Sequence, residues 1–313
     1  MARYLVTGGA GFIGSHITTA LVKRGENVRV LDDLSTGFAD NLQSVIKELE
    51  FVEGDIVDSQ TVAAAVKGVD CIFHQAALAS VPMSIDNPME TNRVCVNGTL
   101  NVLNQARQAG VRRVVYAASS SVYGDSPDSP KREDACPMPL SPYAAAKAAG
   151  ELYCKSFFHS YGLETVGLRY FNVFGPRQDP NSPYSAVIPI FVTRMLDGIA
   201  PVVYGDGQQT RDFTHVANIV HGNLLAAEAK EAAGKVMNVA NGVSVSLLDL
   251  IKQLNRLLGT DIQPQHEAPR VGDVRESNAD ISLARKVLGY EPVKSFDEGL
   301  HNSIDYYRAL VAR

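Results

Sequence analysis

Apolar positions in the first half of the chain alternate between two rhythms. Tyr4-Leu5-Val6 is a short strand-like run, and Ile13, Ile17, Ala20 and Leu21 then recur at helical spacing up to Gly25. A strand followed by an amphipathic helix is the expected product. The same rhythm predicts strands over residues 28–31, 51–52, 71–73, 114–116 and 165–168, and helices over 59–67, 89–109 and 143–161.

Strand–helix alternation of this kind implies a parallel sheet covered on both faces. Parallel crossovers are almost always right-handed, so an open, doubly wound α/β fold is expected. Pro and Gly thicken after Asn172, at Gly175, Pro176, Pro180 and Pro183, and the rhythm weakens there. We therefore divide the chain near residue 170. Residues 1–170 form a nucleotide-binding domain, and 171–313 a smaller, mixed α/β substrate region expected to lend an element back to the first.

The 313 residues are 45% hydrophobic, enough for a sizeable core. Lys and Arg number 29 against 34 Asp and Glu, a net charge of −5, which argues against a duplex nucleic-acid binder. A few arginines still suffice for one small anion. No apolar run reaches the roughly 18 residues a membrane helix needs, and no signal peptide is expected, since the first strand begins almost at once. Cys71, Cys95, Cys136 and Cys154 form no C-x-x-C pair, so neither a metal site nor a disulfide framework is expected and a reducing cytoplasm fits.

Gly8, Gly11 and Gly14 are spaced G-x-x-G-x-x-G between the first strand and the first helix. Such a loop turns sharply, admits a pyrophosphate to its backbone and packs the helix on the sheet, with the amides near Phe12 and Ile13 facing the phosphates. Asp32 follows Gly14 by 18 residues, at the end of the second strand. A carboxylate there accepts hydrogen bonds from a ribose diol and repels a 2′-phosphate, which favours NAD; Asp33 adds charge. Gly54-Asp55-Ile56 either holds the adenine or supplies a helix cap before Ser59. Gln75-Ala76-Ala77, after the fourth strand, is small enough for a flat ligand to lie on the strand ends.

Ser119-Ser120-Ser121 follows the fifth strand, and Tyr143 comes 24 residues after Ser119, with Lys147 one turn further along a helix opened by Pro142. Residues i and i+4 share a helix face. A phenol is a poor base at neutral pH; a neighbouring ammonium and an oxidised nicotinamide would favour its phenolate. Ser119 can hold the substrate oxygen in line. The plain alternative for Tyr143 and Lys147 is a solvated helix face.

With these residues in view, the chain resembles an extended short-chain dehydrogenase/reductase, and within that group the UDP-sugar 4-epimerases, closest to the branch acting on UDP-N-acetylglucosamine. The resemblance spans nearly the whole chain. It is carried by residues 74–82 (HQAALASVP), 140–143 (LSPY), 168–175 (LRYFNVFG), 211–213 (RDF) and 272–275 (GDVR). It implies Tyr143 as acid/base, Lys147 on the nicotinamide ribose and Ser119 on the sugar hydroxyl. It further implies Tyr170 as a cofactor contact, and Ser80 and Ser120 as substrate contacts. Asn172 would touch the diphosphate, with Arg211 and Arg270 as a phosphate clamp. Ala186, Val187 and Tyr204 would line the uracil pocket, and Asp273 would bind the uridine ribose. Cys95 stands where many relatives carry Asn, and Asn218 where an aspartate is common, the latter expected to matter only structurally.

The reaction so implied inverts sugar carbon 4. Tyr143 takes the hydroxyl proton while hydride passes to a tightly bound NAD⁺, and the 4-keto sugar turns and receives hydride on its other face. A 4,6-dehydratase or decarboxylase on this scaffold would need a carboxyl acid just after Ser119, where Ser120 and Ser121 stand. A dinucleotide-binding sensor or scaffold protein is the non-enzyme alternative. Ser277 is small where relatives restricted to plain hexoses carry bulk, leaving room for an N-acetyl group. The resemblance also implies a homodimer built on the helices over 99–109 and 143–161.

Overall fold

The computed structural model describes residues 2–180, 186–269 and 275–311. Arg270 and Asp273 lie outside the described residues. The first half runs β1 (Arg3–Thr7), α1 (Phe12–Lys23), β2 (Asn27–Asp32), β3 (Leu49–Glu53), α2 (Ser59–Ala65), β4 (Cys71–His74), α3 (Val81–Asp86), α4 (Pro88–Asn92), α5 (Thr99–Gln108), β5 (Arg113–Ser119), α6 (Pro142–Tyr161) and β6 (Glu164–Tyr170). The second half adds β7 (Val173–Phe174), α7 (Val187–Leu196), β8 (Val202–Tyr204), β9 (Thr210–Arg211), β10 (Thr214–His215), α8 (Val216–Glu228) and β11 (Lys235–Val239). It continues with β12 (Val245–Ser246), α9 (Leu247–Leu258), β13 (Gln265–Glu267), β14 (Glu276–Ser277), α10 (Ser282–Leu288) and α11 (Phe296–Val311).

Seven parallel strands form one sheet in the order β3-β2-β1-β4-β5-β6-β11. The fold is the doubly wound α/β type, and β1 and β4 flank its topological switch point, where such sheets open a crevice beyond their carboxyl ends. The inner strands are buried on both faces because helices cover both. One core cluster joins Val6, Ile17, Val115 and Leu168 to Ile219 of α8; the other joins Leu5, Ile72, Val114, Val102 and Phe157. A third, around Phe174, Phe191, Leu250 and Tyr307, lies in the second half. Strand β11 crosses back from that half to pair with β6.

The expected helix over 89–109 is not uniform. Residues Arg93–Gly98 form a π-helical turn between α4 and α5. Gly98 packs so closely on Ile56 that a Cβ there would lie 2.6 Å from its Cδ1, and Thr99 Oγ1 donates to the Cys95 carbonyl at 2.7 Å. The widened turn accommodates both contacts, and such turns concentrate at functional sites. Helix α6 is stopped at both ends by its sequence: Ser141 caps the Ala144 amide, Pro142 opens the first turn, and Gly162 adopts φ 72° at the C-terminus. Asp58, rather than Asp55, caps α2 by accepting from the Gln60 and Thr61 amides.

Candidate active site

The glycine loop leaves β1 and enters α1 at the sheet's carboxyl edge. Gly8 has φ 67°, a left-handed conformation, and a Cβ on it would meet the Ala76 nitrogen at 2.6 Å. A Cβ on Gly14 would lie 2.0 Å from the Gly8 carbonyl oxygen. Gly11 supplies no side-chain cap, so the first amides of α1, including Phe12 and Ile13, are offered to an anion. Asp32 is buried at the end of β2 and accepts from the Ala10 and Leu34 amides at 2.8 and 2.9 Å. Burial raises its pKa against those backbone bonds. Asp32 thus braces the loop and retains lone pairs for a ribose diol. Asp33 is exposed and accepts from Ser35. A cradle that admits no Cβ, a helix start and this buried carboxylate fit a dinucleotide.

Behind the loop, His74 is buried and neutral, its pKa lowered to about 3 by desolvation and by Lys147. Its Nδ1 is 2.7 Å from Thr7 Oγ1 and its Nε2 3.0 Å from Thr99 Oγ1. The Thr99 hydroxyl proton goes to Cys95, so His74 Nε2–H donates to Thr99 and Thr7 donates to Nδ1. Gln75-Ala76-Ala77 follows, with the Gln75 amide donating to the Thr7 carbonyl at 3.0 Å. Asp55 accepts from the Val57 amide at 2.9 Å and pairs with Arg93 at 2.7 Å, and the Ile56 carbonyl accepts from Asn101 at 2.7 Å.

Ser119 ends β5 in register with Tyr170, which ends β6. Tyr143 lies one turn before Lys147 on α6. Gly150 lets α6 approach β5 closely, since a Cβ there would meet Tyr116 Oη at 2.1 Å. Lys147 can therefore donate to the Ala117 carbonyl at 2.8 Å, with Nζ 5.9 Å from the Tyr143 ring centroid. Desolvation pushes the Tyr143 phenol up to about 12, against a hydrogen bond with Ser119. Burial lowers the Lys147 pKa against the pull of Cys95, Cys154 and Glu151. In the protein alone the neutral phenol is therefore the favoured form of Tyr143. Ser119 Oγ also accepts from the Ser121 amide and hydroxyl at 3.2 and 2.9 Å. Ser120 begins the 3-10 turn beside it.

In the second half, Asn172 adopts φ 34° and donates to the Asp212 carbonyl at 3.2 Å and to Ser277 Oγ at 3.4 Å. Ser277 stands opposite Arg211 where β14 pairs with β9, so Ser277 neighbours both Asn172 and Arg211. Ser80 caps α3, Ala186 and Val187 form the start of α7, and Tyr204 ends β8. Asn218 exchanges hydrogen bonds with the Lys294 backbone at 2.8 Å each way, a structural role. Two further residues carry structure but have no role in the sequence reading, where Asp212 stands only within the RDF segment. Asp212 is fully buried and accepts from the Asn241 and Gly242 amides at 2.9 Å, and burial raises its pKa to about 6. Asn223 is fully buried in α8 and bonds Tyr170 at 2.8 Å; the signal was an amide inside an apolar helical stripe.

A phenol, an ammonium and a hydroxyl gathered beside a dinucleotide cradle serve proton transfer coupled to hydride transfer, which defines a dinucleotide-dependent enzyme of the extended short-chain dehydrogenase/reductase class. The NAD dependent epimerase/dehydratase family model matches residues 4–240. The UDP-glucose 4-epimerase of Mycolicibacterium smegmatis is 40% identical over 310 residues, covering 98% of each chain. The solved UDP-N-acetylglucosamine 4-epimerase from Methanobrevibacter ruminantium, in complex with UDP-N-acetylmuramic acid, superposes with TM-score 0.94 at 41% identity over 99% of both chains. The UDP-glucose 4-epimerase of Thermus thermophilus, in complex with NAD, gives TM-score 0.89 at 37% identity over 98% of this chain and 99% of that one. This chain belongs to the NAD-dependent epimerase/dehydratase family, and its cofactor is NAD.

Proposed function

We propose that the chain, a UDP-sugar 4-epimerase, interconverts UDP-N-acetylglucosamine and UDP-N-acetylgalactosamine, and UDP-glucose and UDP-galactose as well, through a 4-keto intermediate on NAD held between half-reactions. The observation carrying this reading is the meeting of Ser119, Tyr143 and Lys147 at the sheet edge where Gln75 and Tyr170 also end. Bound NAD would supply reversible hydride acceptance and, when oxidised, a positive charge beside the phenol. Tyr143 removes the proton from the sugar 4-hydroxyl and later returns it. Ser119 orients that oxygen, and Lys147 holds the nicotinamide ribose. Gly8, Gly11, Gly14, Asp32 and the Asp55-Ile56 segment hold the remainder of NAD.

Inversion requires a gripped diphosphate and a mobile hexose. Asn172 and Arg211 grip the diphosphate in this reading, together with Arg270, while Ala186, Val187 and Tyr204 receive uracil and Asp273 the uridine ribose. Residues 1–170 thus serve the cofactor and 171–313 the substrate. A dehydratase or decarboxylase would need a carboxyl acid where Ser120 and Ser121 stand, which disfavours it. Incubation with UDP-linked glucose, galactose, N-acetylglucosamine and N-acetylgalactosamine tests the reading: each acetylated sugar should yield its 4-epimer, and a 4-keto-6-deoxy or pentose product would overturn it.

Substrate breadth rests on Ser277. Its small side chain, 3.4 Å from Asn172, leaves space for a 2-acetamido group. Ser277→Tyr should lower N-acetylhexosamine turnover roughly tenfold or more while sparing plain hexoses, as expected when bulk fills a substrate pocket. Equal loss on both sugar types would remove this argument.

We also read the chain as a cytoplasmic homodimer built along α5 and α6. Leu152 and Tyr161 are exposed on α6, whereas Phe157 is buried in the core, and Arg107 of α5 stacks on Tyr161 at 4.7 Å. Among the described residues no helix is long and apolar enough to cross a membrane.

A further inference from the structure

Three residues distant in sequence close a hydrogen-bonded ring below the carboxyl ends of β4 and β6. Asn223 Nδ2 lies 2.8 Å from the Ile219 carbonyl oxygen, an acceptor, which fixes the orientation of its amide. The same nitrogen donates to Tyr170 Oη at 2.8 Å. Asn223 Oδ1 accepts from Gln75 Nε2 at 3.4 Å. The Tyr170 proton has acceptors at Gln75 Oε1, 3.2 Å away, and at Asn223 Oδ1, 3.1 Å away. Because Gln75 Nε2 already supplies Asn223 Oδ1, sending the Tyr170 proton to Gln75 Oε1 satisfies every member. The ring then runs from Asn223 to Tyr170, from Tyr170 to Gln75 and back to Asn223.

This polarity has a chemical consequence. The Tyr170 oxygen accepts one bond and donates one. Ionising it would turn a phenolate toward the Gln75 carbonyl oxygen and leave that acceptor without its proton. Burial raises the Tyr170 pKa against the pull of Asn223 and Gln75. The ring also has mechanical reach. The Gln75 backbone is tied to Thr7 just before the glycine loop, Tyr170 is in register with Ser119, and Asn223 belongs to a helix from the substrate half.

We propose that Asn223 is a positioning residue for the cofactor. Through Tyr170 and Gln75 it holds the nicotinamide side of the cleft in one arrangement. The inference rests on the reading above that places nicotinamide beside these strand ends.

The test uses the full chain carrying the NAD with which it is purified. NAD(H) released on denaturation is counted per chain after exhaustive dialysis for the parent, Asn223→Leu, Gln75→Leu and the double variant. UDP binding is measured on the same samples by calorimetry. Each single variant should retain roughly tenfold less NAD(H), the scale expected when buried partners are left unsatisfied. The double variant should fall within about twofold of the worse single one, because members of one network do not act additively. UDP binding should stay unchanged. NAD(H) at the parental level, losses that multiply, or a parallel fall in UDP binding would overturn the proposal. Gln75 is only partly buried, so its variant and Asn223→Asp, which keeps the acceptor and drops the donor, carry the test if Asn223→Leu does not fold. Asn223→Asp should retain NAD(H) between the parent and the leucine variants, and retention at the parental level would overturn the role of the donor. Turnover does not enter this count, so a wrong reaction and a wrong ring give different results.

Discussion

Tyr143→Phe should lower turnover roughly 100- to 10,000-fold, the range for losing a positioned general acid/base, while leaving the fold and the NAD content intact. The substitution removes one oxygen and keeps the ring that packs near Lys147, whose Nζ sits 5.9 Å from the ring centroid. No other described group is equally placed to take the proton. Ser119 is a neutral hydroxyl, and the Lys147 ammonium, which donates to the Ala117 carbonyl at 2.8 Å, has no lone pair to accept a proton. Tyr170 is held by Asn223 and Gln75. Desolvation holds the phenol near 12 in the protein alone, so oxidised NAD, when bound, would favour its ionisation. The check is an epimer-separating assay beside a count of NAD per chain. Parental turnover in this variant would end the acid/base assignment and reopen the sensor or scaffold alternative.

The second large effect concerns stability. Arg169 and Glu151 form a two-pronged pair at 2.9 and 2.7 Å, with side chains only 5% and 7% exposed. The guanidinium also stacks on Tyr123 with Cζ 4.6 Å from its ring centroid. This pair fastens α6 to β6 one turn beyond Lys147, and so braces the helix that carries Tyr143 and Lys147. Arg169→Leu leaves an unpaired carboxylate in the interior and should cost about 3–5 kcal/mol. Removing the second charge as well, in Arg169→Leu/Glu151→Leu, should restore much of that loss. Denaturant unfolding of the three proteins measures both. A double variant as unstable as the single one would mean that packing on Tyr123, rather than an orphaned charge, sets the cost.

Much of the first half was legible because its signals are local. Strand and helix periodicity placed β1 to β6 and α6 within a few residues. The glycine spacing and the Tyr143–Lys147 interval are features of one turn and one helix. Elements made by distant contacts were not legible. The π-helical turn at Arg93–Gly98 packs Gly98 against Ile56, a contact between segments far apart in the chain. The strands β9 and β14 have two residues each and exist because they pair, so periodicity carries no trace of them, yet they bring Arg211 to Ser277. The Asn223 ring joins residues separated by 53, 95 and 148 positions. Asp55 reads as a possible cap, but Asp58 is the residue directly before Ser59 and takes that role, while Asp55 goes to Arg93. What local rules describe is the strands and loops of the first half, and what they miss is the pairing of segments distant in sequence.

The most direct test of the central claim joins cofactor retention to chemistry in one preparation. The protein is purified without nucleotide, part is denatured, and the supernatant is assayed for pyridine nucleotide. The rest is incubated with UDP-N-acetylglucosamine and no added NAD. The account predicts close to one NAD(H) per chain and conversion to the 4-epimer. Absence of nucleotide together with no epimer after NAD is supplied would contradict it.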